Sequence, residues 1–146
     1  MARLENRFKK YLVDLMGTLW DVQSVEDRYS TGIPDLSYGA KGVNGWIELK
    51  QIASWPKKDD TLVKPQHYTA EQVNWLVRRG KKGGCCWVLV RVGKDEHFLF
   101  SFIYARMVQK GMTRLDYFAN CKAYWDGPID SHDLLNQLTE HSYAHE

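Results

Sequence analysis

The chain has 146 residues, 44% of them hydrophobic and 26% charged, ordinary proportions for a globular domain that exclude a disordered chain, a collagen-like repeat and a coiled coil. Its length predicts a single domain, 1–146, able to bury about two-thirds of the surface it exposes when unfolded, so a core needs no disulfides or structural metal. The formal charge of +2 hides an asymmetry: residues 57–94 hold nine basic groups against three acidic, whereas 126–146 hold five acidic groups and no Lys or Arg.

A basic stretch interleaved with Trp and Tyr suits a phosphate backbone, and a solvated lysine-rich loop would give the same composition. No apolar run reaches the roughly 18–20 residues that span a bilayer. Charges scattered through the first twenty residues argue against a signal peptide. Three cysteines, two of them adjacent at Cys85 and Cys86, suit neither a disulfide framework nor a zinc site. The cytoplasm is the compartment these features point to.

In chain order, apolar residues at 4, 8, 11, 12, 15, 16 and 19 have helical spacing, ended near Gly17. Residues 21–29 read weakly as a strand or an irregular link. Pro34 and the glycines of 30–45 make a turn-rich approach with a short strand around Asp35–Tyr38. Residues 45–53, GWIELKQIA, alternate as a strand should. A loop with two prolines follows. Residues 69–79 predict a helix with Thr69 as N-cap and Gln72 as its capping-box partner. Glycines at 80, 83 and 84 end it. CCWVLVRVG predicts a central strand, and HFLFSFIYA another that runs into a helix near Arg106–Lys110. Residues 113–127 carry no clear pattern. Ser131 is a plausible N-cap for a last amphipathic helix. The order predicts a mixed central β-sheet flanked by helices.

One constellation carries chemistry. On the strand around Glu48, side chains alternate, so Glu48 and Lys50 share a face and Leu49 joins Ile47 on the other. Asp35 stands thirteen residues earlier, in Ile33-Pro34-Asp35-Leu36, and a hairpin between the two would bring the carboxylates together. Such a pair repels itself unless a cation lies between, and oxygen ligands select a hard ion such as Mg²⁺ or Mn²⁺. With a lysine one step along the face, this is a sufficient kit for phosphodiester hydrolysis. A half-exposed strand with a surface ion pair and a turn aspartate would show the same spacing.

Ile33-Pro34-Asp35-Leu36 followed by Ile47-Glu48-Leu49-Lys50 resembles the core motif of the PD-(D/E)XK nuclease superfamily, and most closely the small VRR-NUC and phage-type enzymes. Tyr68-Thr69-Ala70-Glu71-Gln72 stands where those have an LSxxQ-like helix start. The likeness covers about residues 1–100. It implies a restriction-endonuclease-like core of order αβββαβ. It implies Asp35 and Glu48 as metal ligands with the Leu49 carbonyl, Lys50 as catalytic lysine, Glu5 assisting metal or water, and Gln72 orienting groups near the site. Glu5 also suits a first-turn acid favoured by the helix dipole, and Gln72 a simple cap. Gln51 points to the opposite face and is left out.

The resemblance further implies a Mg²⁺-dependent endodeoxyribonuclease selective for branched DNA, like Holliday junction resolvases. Such enzymes work as homodimers, because a junction offers two symmetric cuts. The setting would be a bacterial or phage-infected cell. A less selective nuclease or nickase, or a silent DNA-binding module of the same fold, would share the motif. Lys57, Lys58 and Lys64 follow directly from the catalytic strand and are expected to meet DNA phosphates beside the site; Arg28 and Lys41 are the other expected contacts.

Overall fold

A computed structural model describes residues 2–25 and 32–140. Arg28, His141 and His145 lie outside the described residues.

The first helix, α1 (Ala2–Met16), owes its placement to Phe8, Leu12 and Met16, one turn apart and fully buried. A short, mostly exposed strand, β1 (Asp21–Ser24), pairs antiparallel with β2 (Leu36–Ala40), which forms a hairpin with β3 (Val43–Ile52). The two-residue turn, Lys41-Gly42, has φ of 50° and 77°, the left-handed pair that matches the twist of flanking strands. From β3 the chain crosses through α2 (Ala70–Lys81) to β4 (Cys85–Val92), which lies parallel to β3. The strand β5 (Glu96–Ser101) and the last strand β6 (Ala123–Asp126) add antiparallel. The sheet therefore runs β1 to β6 in chain order, mixed only through the β3–β4 pair. Between β5 and β6 come a 3₁₀ turn (Phe102–Tyr104), α3 (Ala105–Lys110) and α4 (Arg114–Asn120); α5 (Ser131–Thr139) closes the described chain.

Two apolar layers sandwich the sheet. On one face Phe8, Leu12, Leu134 and Leu138 of α1 and α5 pack on Ile47, Leu49, Leu89 and Leu99. On the other, Val73, Leu76, Val108 and Tyr117 of α2, α3 and α4 pack on Val88, Val90, Phe98 and Phe100. Burying each such side chain contributes about 1.5–3 kcal/mol. The αβββαβ core is present as α1, β1–β3, α2 and β4.

Two readings change. The last helix is capped by Asp130, whose side chain accepts the N–H groups of His132 and Asp133, and Ser131 is its first residue. The unpatterned 113–127 stretch holds α4 and β6. No helix among the described residues is long and apolar enough to cross a membrane.

Candidate active site

The site arises because β2 ends before β3 does. Their pairing stops at Leu36 opposite Ile47, so from Glu48 onward β3 is paired only with β4 and its other edge is open. Asp35, one residue before β2, fills that edge: its Oδ2 accepts the Leu49 N–H at 2.8 Å. The Asp35 carbonyl accepts the Val25 N–H at 2.9 Å, fixing the residue from its backbone as well. In an extended strand the N–H and C=O of one residue leave on the same side, so the Leu49 carbonyl also faces the open edge.

Upstream, Gly32 has φ +87° and passes so close to the Glu71 backbone that any Cβ would overlap it. Only glycine permits this approach, which docks the Pro34-Asp35 segment onto the first turn of α2.

Glu48 and Lys50 share the other face of β3 and are 1% and 2% exposed. Their side chains pair at 3.1 Å through Glu48 Oε2. Glu48 Oε1 is buried without a hydrogen-bond partner among the described residues. Burial first, and the neighbouring Asp35 charge second, hold the Glu48 carboxyl well above its ordinary range, against the opposing pull of Lys50. The lysine is fully engaged. Its Nζ donates to Gln72 Oε1 at 3.0 Å and to the His67 carbonyl at 3.1 Å, and it lies 4.8 Å from the centre of the Tyr68 ring. A buried cation is tolerated only with such a set of partners.

Gln72 serves two purposes at once. The capping box with Thr69 forms as the sequence predicts, and the same Oε1 accepts both the Thr69 N–H and the Lys50 ammonium. His67 was not singled out from sequence. It has φ +62°, uncommon for a residue with a side chain, and this turn aims its carbonyl at Lys50. No local sequence signal marks it.

These groups wall a recess of about 210 Å³ that also takes in Glu5, Asn6 and Lys9 of α1. Glu5 is half-buried, and its Oε1 is buried without a hydrogen-bond partner among the described residues. Two of the recess carboxylates thus present an unsatisfied oxygen, the condition a bound cation relieves. Asp35, Glu48 and the Leu49 carbonyl could hold a hard divalent ion. No group of three or more His, Cys, Asp or Glu side chains gathers for a metal among the described residues, so Glu5 does not complete a carboxylate triad. Two carboxylates and a carbonyl would leave several coordination positions to water, as Mg²⁺ prefers.

The expected phosphate contacts separate. Lys57, Lys58 and Lys64 are exposed on the connection from β3 to α2. Lys64 borders an open groove of about 800 Å³ that shares His67 with the recess and is also lined by Lys110. Lys41 sits at the far end of the hairpin from Asp35, where its Nζ donates to Asn136. Gln51 lies on the opposite face, bonded to the carbonyls of Ile52, Arg91 and Gly93. Trp55 packs against Phe98 and Tyr117, and Trp75 shares the Arg79 guanidinium with Trp46, so both are engaged in packing.

No protein-family model matches the sequence, and no curated protein matches it significantly. Among solved structures, Hjc, a Holliday junction resolvase from the archaeal hyperthermophile Archaeoglobus fulgidus, superposes with a TM-score of 0.53 over 79% of this chain and 91% of that one. The two chains share a fold, a mixed six-stranded sheet flanked by helices. Identity to Hjc is 17%, so the likeness speaks for the fold and the chemistry must be argued from side chains. A VRR_NUC domain also aligns, at 25% identity over 70% of this chain and 90% of that one, with a TM-score of 0.43.

Proposed function

We propose that the protein is a divalent-metal-dependent endodeoxyribonuclease acting on branched DNA. The observation that carries this reading is the Asp35–Glu48 carboxylate pair at an open sheet edge, with Lys50 buried against Glu48 and anchored by Gln72 and His67. A site for binding alone gains nothing from two acids facing a polyanion. Mg²⁺, with Mn²⁺ as substitute, would supply charge neutralisation at the scissile phosphate and an acidified water.

The chain's own residues do the rest. Asp35 and Glu48 would hold the cation, whose charge favours the ionised form of both carboxylates. The Leu49 N–H keeps Asp35 turned toward the recess. Lys50, with its donors directed by Gln72 and the His67 carbonyl, presents positive charge where charge develops on the phosphate and orients the attacking water. Glu5 adds a further carboxylate to the wall at which that water is held. Lys57, Lys58 and Lys64 receive the flanking phosphates.

The fold shared with Hjc, a Holliday junction resolvase, supports a junction as substrate. A junction has two symmetric cuts, and we infer that two copies act together on it. The test is a cleavage panel of four-way junction, flap, duplex and single strand, with Mg²⁺ or EDTA. Junction cleavage that requires Mg²⁺ is expected. Equal cutting of every duplex-containing substrate would leave a less selective nuclease, and binding without cleavage a silent DNA-binding module.

A further inference from the structure

The helix α1 has a second flank. At about 100° per residue, Glu5, Asn6 and Lys9 emerge on one side of the Phe8–Leu12–Met16 stripe, and Arg7 and Tyr11 emerge on the other. That other side borders a separate depression of about 320 Å³. Arg91 enters it from β4, and Lys94 and Asp95 from the β4–β5 turn. Three cations thus face one carboxylate, and none of the three makes an ion pair among the described residues.

His97 also lines the depression. It is 2% exposed, and neither ring nitrogen makes a well-directed hydrogen bond among the described residues, the backbone of Asp95 and Trp125 giving it only weak ones. The rings of Phe8 and Tyr11 flank it, with centroids at 5.9 and 6.1 Å, and hold the imidazole in place. Arg91 is also held, its Nε donating to the Gly93 carbonyl at 3.3 Å and its guanidinium lying over the Phe8 ring. A buried donor whose backbone contacts are weak, ringed by cations that make no ion pair among the described residues, is an arrangement an anion completes.

We propose that this depression binds a phosphate group, neutralised by Arg7, Arg91 and Lys94 and bonded by the ring N–H of His97. Its volume admits a phosphate bearing an ester substituent as well as the free ion. The source is therefore either a phosphodiester of a bound DNA strand or inorganic phosphate. The site stands apart from the catalytic reading, because none of these residues lines the carboxylate recess. Burial and Arg91 push the His97 pKa down to about 4, against weaker upward pulls from backbone hydrogen bonds at Trp125 and Asp95 and from the Asp95 charge. With Arg7 and Tyr11 facing the ring from α1 and Lys94 from the turn, an added anion works against the cations and raises that pKa.

The experiment follows the His97 ring resonances by NMR while the full chain is titrated with inorganic phosphate and, separately and with EDTA present, with a short DNA duplex. A saturable shift with a raised His97 pKa is expected. The double variant Arg7→Ala, Lys94→Ala touches two exposed side chains and should weaken binding by roughly tenfold while the fold is kept. A response to both probes assigns the site to the DNA backbone, and a response to inorganic phosphate alone assigns it to the free ion. No saturable shift with either probe, or a shift that the double variant leaves unchanged, overturns the proposal.

Discussion

The Asp35 carboxylate accepts the backbone N–H of Leu49 at 2.8 Å, one strand away and fourteen residues on. A side chain thereby takes the place that a further residue of β2 would have held in the ladder. The same contact satisfies an open strand edge and presents a carboxylate to the recess. Asn in place of Asp keeps an oxygen for the Leu49 N–H and loses the charge. Asp35→Asn is therefore expected to melt near the parent temperature and to lose cleavage. Asp35→Ala should lose cleavage and also about 1 kcal/mol of stability, the usual contribution of one hydrogen bond. Thermal melts beside a junction-cleavage assay separate the two; an active Asp35→Asn protein would remove the aspartate from the chemistry.

Lys50 is tested through its partner. Removing it alone leaves Glu48 buried beside Asp35 without a cation, a change that costs about 3–5 kcal/mol when a buried pair is broken. The expected result for Lys50→Met is a lower melting temperature and turnover reduced by orders of magnitude, with DNA affinity little changed. Adding Glu48→Gln removes the stranded charge, so the double variant should regain stability and stay inactive. Equal, small losses in rate and affinity would make Lys50 an ordinary phosphate contact.

Lys57 and Lys58 lie exposed beside Asp59 and Asp60, which could cancel them. If both lysines meet phosphates, replacing the pair by alanine flattens the salt dependence of DNA binding by roughly two units of log–log slope. An unchanged slope would move the docking track to the groove bordered by Lys64 and Lys110.

His97 predicts an acid limb of stability. Its pKa falls from 6.5 to about 4 on folding, so between these values the unfolded chain binds more protons. Stability is then present above about pH 6.5 and is lost as pH falls toward 4. Urea unfolding in phosphate-free buffer should show this slope, and His97→Phe should be flatter across the same window. Parallel pH profiles would contradict the assigned burial effect.

Gly32→Ala adds one methyl where α2's backbone leaves no room and where φ is positive. A loss of about 1–3 kcal/mol is expected from the strain. Cleavage should fall as well, because the shift carries Asp35 away from Glu48, although residue 32 itself touches no substrate. Unimpaired cleavage together with unimpaired stability would show that the segment docks elsewhere.

The parts of this architecture legible in the sequence are those with a strong local cause. Alternation around Glu48 places it with Lys50, and Thr69 with Gln72 spells out a capping box that forms. The cap of α5 was misplaced by one because Asp130 and Ser131 are both good caps and only the chain's path chooses between them. The helix α4 also opens with a capping box, Thr113 with Asp116, a signal that was available in the sequence. The role of His67 was not legible: a carbonyl aimed by a left-handed turn leaves no trace in residue type.

One oxygen, Gln72 Oε1, both starts α2 and anchors Lys50, the lysine proposed as catalytic. Whenever thermal fraying opens the first turn of that helix, the lysine loses this acceptor and keeps Glu48 and the His67 carbonyl. In the proposed mechanism the aim of the ammonium is thus coupled to the fraying of a single helical turn. On warming, activity is then expected to decline while the sheet is still intact.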